Sequence, residues 1–259
     1  MITYDYRDHC VLVTGGTRGI GAGIAAAFLA AGADVVVCAR HEPPDPPAAA
    51  GRAASFAAAD VRDAAQVDAL IETVVDRHGR LDVVVNNAGG SPYAPAAAAS
   101  PRLHAKVIEL NLTAALHVAQ RAHRVMSDQE TGGAIVMIGS VSGVRPSPGT
   151  AAYGAAKAGL HHLAACLAAE WAPKVRVNTV IAGLVDTGSG DEQSDHYGDA
   201  ATRAAIGATI PAGRLARPAD VAQACLFLAG PQASYITGAA LQVHGGGEHP
   251  AWSGVVRPR

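Results

Sequence analysis

Short apolar runs rich in β-branched residues alternate with alanine-rich helical stretches along almost the whole chain. Continuous apolar strands separated by helices are typical of a parallel sheet that helices cover on both faces. Because crossovers between parallel strands are right-handed, the pattern predicts a three-layer, doubly wound α/β fold with a mostly parallel seven-stranded sheet. The predicted strands are Cys10–Val13, Val35–Cys38, Ser55–Ala58, Leu81–Val85, Ala134–Ile138, Val175–Ile181 and one near Leu241; the predicted helices run from the first strand to about Ala31, then over Val67–Arg77, Leu103–Met126, Tyr153–Trp171 and Pro218–Leu228.

The composition favours one large folded domain and argues against nucleic acid as a partner. Hydrophobic residues make up 49% of the 259 residues and charged residues 16%, so we expect residues 1–259 to form a single domain without extensive disorder. A net charge of −2 leaves no basic surplus to neutralise a phosphate backbone. The start shows no signal peptide, and the longest apolar stretch, residues 22–33, is too short to span a bilayer, so we expect a cytoplasmic protein.

The thiols and imidazoles give no pattern of a metal site. The cysteines form no CxxC pair and lie in apolar runs, so we expect small buried hydrophobes in a reducing compartment. His161 and His162 are adjacent, so they point in different directions on a helix, and no HExxH pattern occurs. We therefore predict no bound metal. The four cysteines are Cys10, Cys38, Cys166 and Cys225.

Two segments interrupt the alternation of strands and helices. His41–Pro47 carries four prolines where the second crossover helix should begin. Proline inside a helix costs about 3 kcal/mol, so an irregular loop or a late, short helix is predicted there. Residues 188–210 are polar and then alanine-rich, which predicts a mobile substrate-loop insertion over the carboxyl edge of the sheet. The insertion carries the acidic residues Asp191, Glu192 and Asp195.

A glycine-rich turn, Thr14–Gly21, follows the first strand and opens a helix. Its glycines would let backbone N–H groups approach a pyrophosphate at the positive end of the helix, although such turns also serve close packing alone. The second strand ends without an acid to bind a ribose 2′-hydroxyl, whereas Arg18 and Arg40 would suit a 2′-phosphate. We therefore predict NADP(H); NAD(H) stays open because Glu42 could reach the ribose.

Tyr153 and Lys157 lie one helical turn apart on one face. To act as an acid or base near neutrality, a tyrosine must lower its pKa from near 10 by roughly three units, or about 4 kcal/mol. A lysine charge at about 4 Å supplies about that much at an effective dielectric of 20. The spacing also arises by chance on helices, but lysine is scarce here, with three against seventeen arginines.

Further polar residues end strands or interrupt apolar segments. Ser140 ends a strand thirteen residues before Tyr153, where open α/β sheets bind ligands, and Ser142 is expected to be a turn hydroxyl. Asn111 lies mid-helix, where asparagine is not favoured, so we expect a buried structural role or a water anchor. Asn86–Gly89 follows the fourth strand and would cap it or line a cofactor groove.

In order and spacing, these motifs resemble those of the short-chain dehydrogenase/reductase family over about residues 8–247. The resemblance implies a single-domain Rossmann fold and an oxidoreductase that moves a hydride between a nicotinamide cofactor and a carbonyl or secondary alcohol. The matching motifs are TGxxxGxG at Thr14–Gly21, Asp60 with Val61, NNAG at Asn86–Gly89, Asn111, Ser140, Tyr153 with Lys157, Asn178, Gly183, Thr187, Gly213–Pro218, Tyr235–Gly238 and Gly245 with Gly246.

The resemblance also implies a role for each matching residue. Tyr153 would be the general acid in reduction, Lys157 would lower its pKa and bind the nicotinamide ribose, Ser140 would polarise the substrate oxygen, and Asn111 would anchor a water in a relay to Lys157. The implied cofactor contacts are Gly15, Thr17, Arg18, Gly19, Ile20, Gly21, Arg40, Asp60 and Val61 at the adenine, Asn87, Ala88 and Gly89 along the adenosine, then Tyr153, Lys157, Gly183 and Thr187 at the nicotinamide side.

One departure and three alternatives remain open from the sequence. Ala182 stands where the family usually has proline, so we expect a looser backbone beside the nicotinamide. A 3-oxoacyl-(acyl carrier protein) reductase is the main alternative activity, although the acidic insertion would repel an acidic carrier. A non-catalytic nucleotide sensor is less favoured because both Tyr153 and Lys157 are present. Steroid, sugar, polyol and small-ketone substrates are all compatible with the motifs.

The resemblance further implies a homotetramer that forms through the helices Leu103–Met126 and Tyr153–Trp171. An alanine-rich face would let two such helices approach closely. Its residues are Ala155, Ala158, Ala164, Ala165 and Ala168.

Overall fold

A seven-stranded parallel sheet forms the centre of the molecule in the computed structural model, which describes residues 4–188 and 197–247. The strands are β1 (Cys10–Thr14), β2 (Asp34–Ala39), β3 (Ala48–Ala49), β4 (Arg52–Ala53), β5 (Ser55–Ala58), β6 (Val83–Asn86), β7 (Gly133–Ser140), β8 (Val175–Ala182) and β9 (Ala240–Val243). Of these, β3 and β4 form a separate hairpin, and the other seven strands form this sheet. Their order in the sheet is β5-β2-β1-β6-β7-β8-β9, with every neighbouring pair parallel. The chain thus winds from β1 to one edge and then to the other, and the predicted doubly wound fold is confirmed.

Helices cover both faces of this sheet and create two separate cores. The helices are α1 (Gly19–Ala30), α2 (Ala64–His78), α3 (Pro101–Ile108), α4 (Ala114–Asp128), α5 (Ala151–Trp171), α6 (Ala200–Ala208) and α7 (Pro218–Ala229). Because side chains alternate along a strand, Leu12 packs toward α2, α4 and α5, whereas Val11 and Val13 pack toward α1 and α7. The three predicted layers follow from this alternation.

The proline-rich crossover between β2 and β5 contains no helix; residues 40–54 are all described. The irregular loop predicted for His41–Pro47 is present, but the late helix is not. A short antiparallel hairpin, β3 with β4, takes its place and turns through Ala50 and Gly51, both at positive φ. Prolines lack the N–H that a helix needs and clash with the preceding turn, which explains why this crossover stays extended.

The helix predicted over Leu103–Met126 is interrupted at its middle. α3 ends at Ile108, a π-helical turn spans Glu109–Thr113, and α4 begins at Ala114. Such turns insert one residue into the helical ladder and are frequent at functional sites. The prediction of one regular helix is therefore wrong at Asn111, which lies within this turn.

The burial of the cysteines agrees with the expectation at three positions and contradicts it at one. Cys10, Cys38 and Cys225 are buried, whereas Cys166 is exposed on α5. No group of three or more potential metal ligands occurs in the described ranges. Among the helices of those same ranges, none is long and apolar enough to cross a membrane.

Of the predicted insertion at residues 188–210, residue 188 and residues 197–210 are described, and the second part includes α6. The Asp199 carboxylate accepts a hydrogen bond from the Thr202 N–H and caps this helix. Ile210, two residues after this helix, is buried. The acidic residues Asp191, Glu192 and Asp195, like the tail 249–259, lie outside the described residues.

Candidate active site

The glycine loop between β1 and α1 presents the backbone N–H groups of a helix start. α1 begins at Gly19, and its N-cap residue is Arg18 in an extended conformation. An arginine side chain has only donors, so it cannot accept bonds from the first-turn N–H groups as serine or aspartate would. Gly15 and Gly19 have φ of 61° and 53°, which glycine adopts without strain. The geometry suits an anionic group at this helix terminus.

The loop is held in place by Thr14 and Asn87, which join the ends of β1 and β6. The Thr14 hydroxyl accepts hydrogen bonds from the N–H groups of Asn87 and Ala88, both at 3.0 Å. In return, the Asn87 side-chain amide donates to the carbonyls of Thr14 and Gly15, at 2.9 and 3.0 Å. A Cβ atom at Gly21 would lie 2.5 Å from that amide nitrogen. Asn87 therefore shapes the glycine loop through its side chain, a task that sequence reasoning did not assign.

The residues expected at the adenine end include an ion pair that the sequence analysis missed. Asp60 and Arg62 form a bidentate pair, with Nε 2.9 Å from one carboxylate oxygen. The Arg62 guanidinium is the main cause that holds the pKa of Asp60 below its usual value, and the charge of Arg40 adds to it. Val61 is buried, and Arg40 and Arg18 are exposed. The two-residue spacing of Asp60 and Arg62 was a signal that could have revealed this pair.

Tyr153, Lys157 and Ser140 come together where β7 ends beside α5. Lys157 is 4% exposed, and its ammonium donates a hydrogen bond to the carbonyl of Ile138, at 2.9 Å. The same nitrogen lies 5.6 Å from the centroid of the Tyr153 ring. Ser140 hydrogen-bonds with Tyr153, and its hydroxyl also accepts from the Ser142 N–H at 3.2 Å. A phenol, a hydroxyl and an ammonium thus converge at the carboxyl edge of the sheet.

The pKa values in this cluster correct one prediction. Burial raises the pKa of Tyr153 above 10, and the hydrogen bond with Ser140 offsets only part of the increase. Burial also lowers the pKa of Lys157 to about 8. The expected large decrease of the Tyr153 pKa by Lys157 is therefore wrong for the protein alone. Its ammonium is directed to the Ile138 carbonyl, and desolvation of the phenol is the dominant effect.

Asn111 uses its whole side-chain amide to join the π-helical turn to the strand end after β6. Its Nδ2 donates to the carbonyls of Val107 and Gly90, at 2.9 and 2.8 Å, and its Oδ1 accepts from the Gly90 N–H at 2.9 Å. The π-helical turn shifts the backbone ladder, and the side chain bonds the carbonyl one turn earlier instead. Asn111 is 1% exposed, so these hydrogen bonds lie in the interior.

Gly89 lies between Asn111 and Lys157 and leaves the space that both side chains occupy. A Cβ atom at Gly89 would be 2.7 Å from the Asn111 Oδ1 and 3.2 Å from the Lys157 Nζ. Any side chain at this position would push these polar atoms apart. The absence of a side chain is therefore a requirement of the cluster.

The end of β8 lies beside the end of β7, which carries Ser140. Ala182 pairs with Ser140 on β7 and with Val243 on β9, and it is buried. The position that lacks the family's proline thus lies within a strand that is paired on both sides. Gly183 follows, where a Cβ would approach the His244 Cα to 2.8 Å. Thr187 is partly buried four residues later.

The comparisons with known proteins agree with this architecture. A family model described as Enoyl-(Acyl carrier protein) reductase matches residues 15–248. The chain is 38% identical to a 3-oxoacyl-(acyl-carrier-protein) reductase of Chlamydia muridarum, over 92% of this chain and 97% of that protein. It is 36% identical to 3beta-hydroxysteroid dehydrogenase 1 of Eggerthella lenta, over 93% and 94% of the two chains. The ligand-free aldohexose dehydrogenase of Thermoplasma acidophilum superimposes with a TM-score of 0.83 at 29% identity, covering 93% of this chain and 94% of that one.

Proposed function

The chain belongs to the short-chain dehydrogenase/reductase family of oxidoreductases that act on CH–OH and C=O groups, and on that premise we propose that it interconverts a carbonyl and a secondary alcohol with NADP(H). Tyr153 is the general acid of the reduction and the general base of the reverse reaction. The observation that carries the proposal is the convergence of Ser140, Tyr153 and Lys157 at the end of β7.

The protonation state of Tyr153 favours the direction of reduction. A phenol whose pKa burial raises keeps its proton at neutral pH, so it can donate that proton to a developing alkoxide. Ser140, hydrogen-bonded to the phenol, is placed to donate to the same substrate oxygen. A bound nicotinamide cofactor would supply the hydride. The chain itself supplies the proton and the two hydrogen bonds that polarise the carbonyl.

Lys157 and Asn111 hold the backbone around the hydroxyl groups of Ser140 and Tyr153 in position. The bond from Lys157 to Ile138 fixes the ammonium two residues before Ser140 on β7. Asn111 fixes the backbone at Gly90, so Gly89 stays beside that ammonium. Lys157 then holds a positive charge where a ribose hydroxyl and the phenol can both share it.

The cofactor preference is proposed from charge at the adenine end. The Asp60 carboxylate is already paired with Arg62, so little negative charge faces a 2′-phosphate there. Arg40 lies close enough to Asp60 to lower its pKa, and Arg18 is exposed at the glycine loop. Arginine binds phosphate in bidentate fashion, which supports NADP(H) over NAD(H).

A 3-oxoacyl-(acyl carrier protein) reductase is the second candidate. The relative from Chlamydia muridarum carries that name and matches this chain along nearly its whole length. The relative from Eggerthella lenta is named for a hydroxysteroid and matches at a similar identity. The substrate therefore has to be decided by assay.

Initial rates with NADPH and with NADH over a carbonyl panel test the proposal. The panel contains a 3-oxoacyl thioester, a cyclic ketone, a steroid ketone, a quinone and a keto sugar. We expect turnover of one class with NADPH, and Tyr153→Phe should lower it by about 100- to 10,000-fold while NADPH binding stays nearly unchanged. Tyr235→Phe, at a fully exposed tyrosine, is the matched control. Turnover by Tyr153→Phe at the normal rate would refute the role of this phenol.

We also propose that the chain forms a homotetramer through α4 and α5. Ala155, Ala158 and Ala165 are exposed on α5 and would allow close helix approach, whereas Ala164 and Ala168 are buried in the chain's own core. A groove of about 250 Å³ lies between the two helices. Light scattering at micromolar concentration should give the mass of four chains, and the mass of one chain would refute the proposal. The groove is lined by Gln120, His123, Arg124, Leu167, Glu170 and Trp171.

A further inference from the structure

His161 lies on the same face of α5 as Tyr153 and Lys157, and the proposed proton transfer does not use it. It follows Tyr153 by eight residues and Lys157 by four, so the three side chains share one stripe of the helix. Its Nε2 accepts a hydrogen bond from the backbone N–H of Ser140, at 3.3 Å. An imidazole on α5 thus holds the backbone of the residue whose hydroxyl meets the phenol.

Two glycines on either side of Ser140 make room for this ring. A Cβ atom at Gly139 would lie 2.3 Å from the His161 Nε2, and a Cβ atom at Gly143 would lie 2.7 Å from its Cε1. Neither position can carry a side chain while the imidazole is present. The ring therefore occupies a slot that the last residues of β7 and the 3₁₀ turn at Val141–Gly143 form together.

The acceptor role requires the ring to be neutral at Nε2, with its proton on Nδ1. Burial and the charge of Lys157 both lower the pKa of His161 below 6.5. Tyr153 is the other titratable group on this face of α5. The residues placed against the ring from β7 and the 3₁₀ turn carry no charge; they are Gly139, Ser140 and Gly143. Thr179 on β8, which is also uncharged, lies beside Gly139.

We propose that His161 is a positioning residue, whose neutral imidazole fixes the backbone of Ser140 and thereby the hydroxyl that polarises the substrate oxygen. The inference rests on the proposed oxidoreductase function and adds that the rate of reduction falls at low pH because His161 becomes protonated. Protonation of the ring replaces its acceptor with a donor that faces the Ser140 N–H. The bond is then lost, and a second cation appears one turn from Lys157. Reduction should therefore fail as the pH falls through the pKa of His161.

Two substitutions separate positioning from simple packing. Glutamine in His161→Gln keeps an acceptor that does not titrate, whereas leucine in His161→Leu removes it. We expect His161→Leu to lower kcat by about 10- to 100-fold with little change in KM for NADPH, because misplacement of a catalytic group costs that much. His161→Gln should retain most of the activity and lose the acid limb of the kcat profile. His162→Gln, at the exposed neighbouring position, is the matched control and should keep the wild-type profile.

A second readout does not depend on turnover. In a ¹⁵N-labelled protein, the amide resonance of Ser140 should move with pH at a midpoint below 6.5 and should stay constant in His161→Gln. If the wild type reduces none of the carbonyls, the proposed function fails while this titration still tests the contact. A Ser140 amide resonance that does not shift as His161 titrates would overturn the inference. Wild-type kcat and pH profile in His161→Leu would overturn it too, and if that variant does not fold, His161→Gln and the titration decide.

Discussion

The Nζ atom of Lys157 donates a hydrogen bond to the carbonyl oxygen of Ile138, which lies two residues before Ser140 on the same strand. The ammonium is thus bonded to the sheet at 2.9 Å, while the Tyr153 ring is 5.6 Å away at its centroid. A buried cation with one backbone acceptor is costly unless further polar partners arrive. This relationship makes Lys157 both a site residue and a source of instability in the protein alone.

Replacing Lys157 with methionine should abolish turnover and change how stability depends on pH. Burial lowers the pKa of Lys157 from 10.5 to about 8, so between these pH values the unfolded chain binds the extra proton. Stability therefore rises with pH across this window, by on the order of 3 kcal/mol for a shift of this size. Thermal unfolding of wild type and Lys157→Met at pH 7 and pH 10 measures this change. The stability of the wild type relative to the variant should increase as the pH rises.

A control at the exposed Lys174 belongs to the same experiment. Lys174→Met should leave turnover unchanged and should show no comparable change of stability against the wild type with pH. If the stability difference between wild type and Lys157→Met does not depend on pH, burial does not lower the pKa of Lys157 in the folded protein.

Tyr153 should ionise only above pH 10 in the protein without cofactor, since burial raises its pKa. The ultraviolet absorbance of tyrosinate, taken as the difference between wild type and Tyr153→Phe, isolates this group. Addition of oxidised cofactor should lower the midpoint, because its nicotinamide ring is positively charged. A midpoint near neutrality in the free protein would instead support the sequence prediction that Lys157 lowers the pKa of Tyr153.

Asn111→Ala should destabilise the protein by about 2–4 kcal/mol, because it leaves the buried carbonyl of Val107 and the partly buried backbone groups of Gly90 without their partner. The measurement is urea unfolding followed by far-ultraviolet circular dichroism. Thr113 is exposed in the same π-helical turn, so Thr113→Ala should change stability by no more than about 0.5 kcal/mol. Equal effects of the two substitutions would show that the Asn111 amide contributes nothing specific.

Gly89→Ala should lower turnover by about 10- to 100-fold, since its Cβ would displace Asn111 and Lys157. Steady-state kinetics with saturating NADPH measure the loss. Gly159→Ala is a matched control within α5, where the added Cβ would only meet the flexible end of Leu112, at 3.2 Å. Alanine is favoured over glycine inside helices, so this control should keep its activity and its stability. Loss of activity in the control would point to a general intolerance of added atoms.

Arg40→Ala should lower kcat/KM with NADPH by about tenfold, the value of one charged hydrogen bond, and leave NADH nearly unchanged. The two cofactors are compared in the same assay. Arg52 pairs with Asp34 at the opposite end of β2, so Arg52→Ala should affect neither cofactor. An equal loss with both cofactors would mean that Arg40 does not contact a 2′-phosphate.

Local patterns in the sequence were enough to predict the fold and most members of the cluster. The apolar run at Val35–Cys38 becomes β2, and the YxxxK spacing brings Tyr153 and Lys157 to one face, because each pattern depends only on backbone periodicity. The π-helical turn at Asn111 was missed, since periodicity predicts an uninterrupted helix there. The hairpin after His41–Pro47 was missed because proline shows what cannot form, without showing what replaces it.

The sequence by itself determined the order of strands and helices and the identity of the phenol, hydroxyl and ammonium groups. Only the tertiary structure decided what those groups bond. Lys157 meets Ile138, and His161 meets Ser140, across 19 and 21 residues of chain. Hydrogen-bond partners and burial depend on which strand lies under which helix face, and both set the pKa of a side chain. For that reason the raised pKa of Tyr153 follows from the packing of α5 on β7 and not from the spacing of its residues.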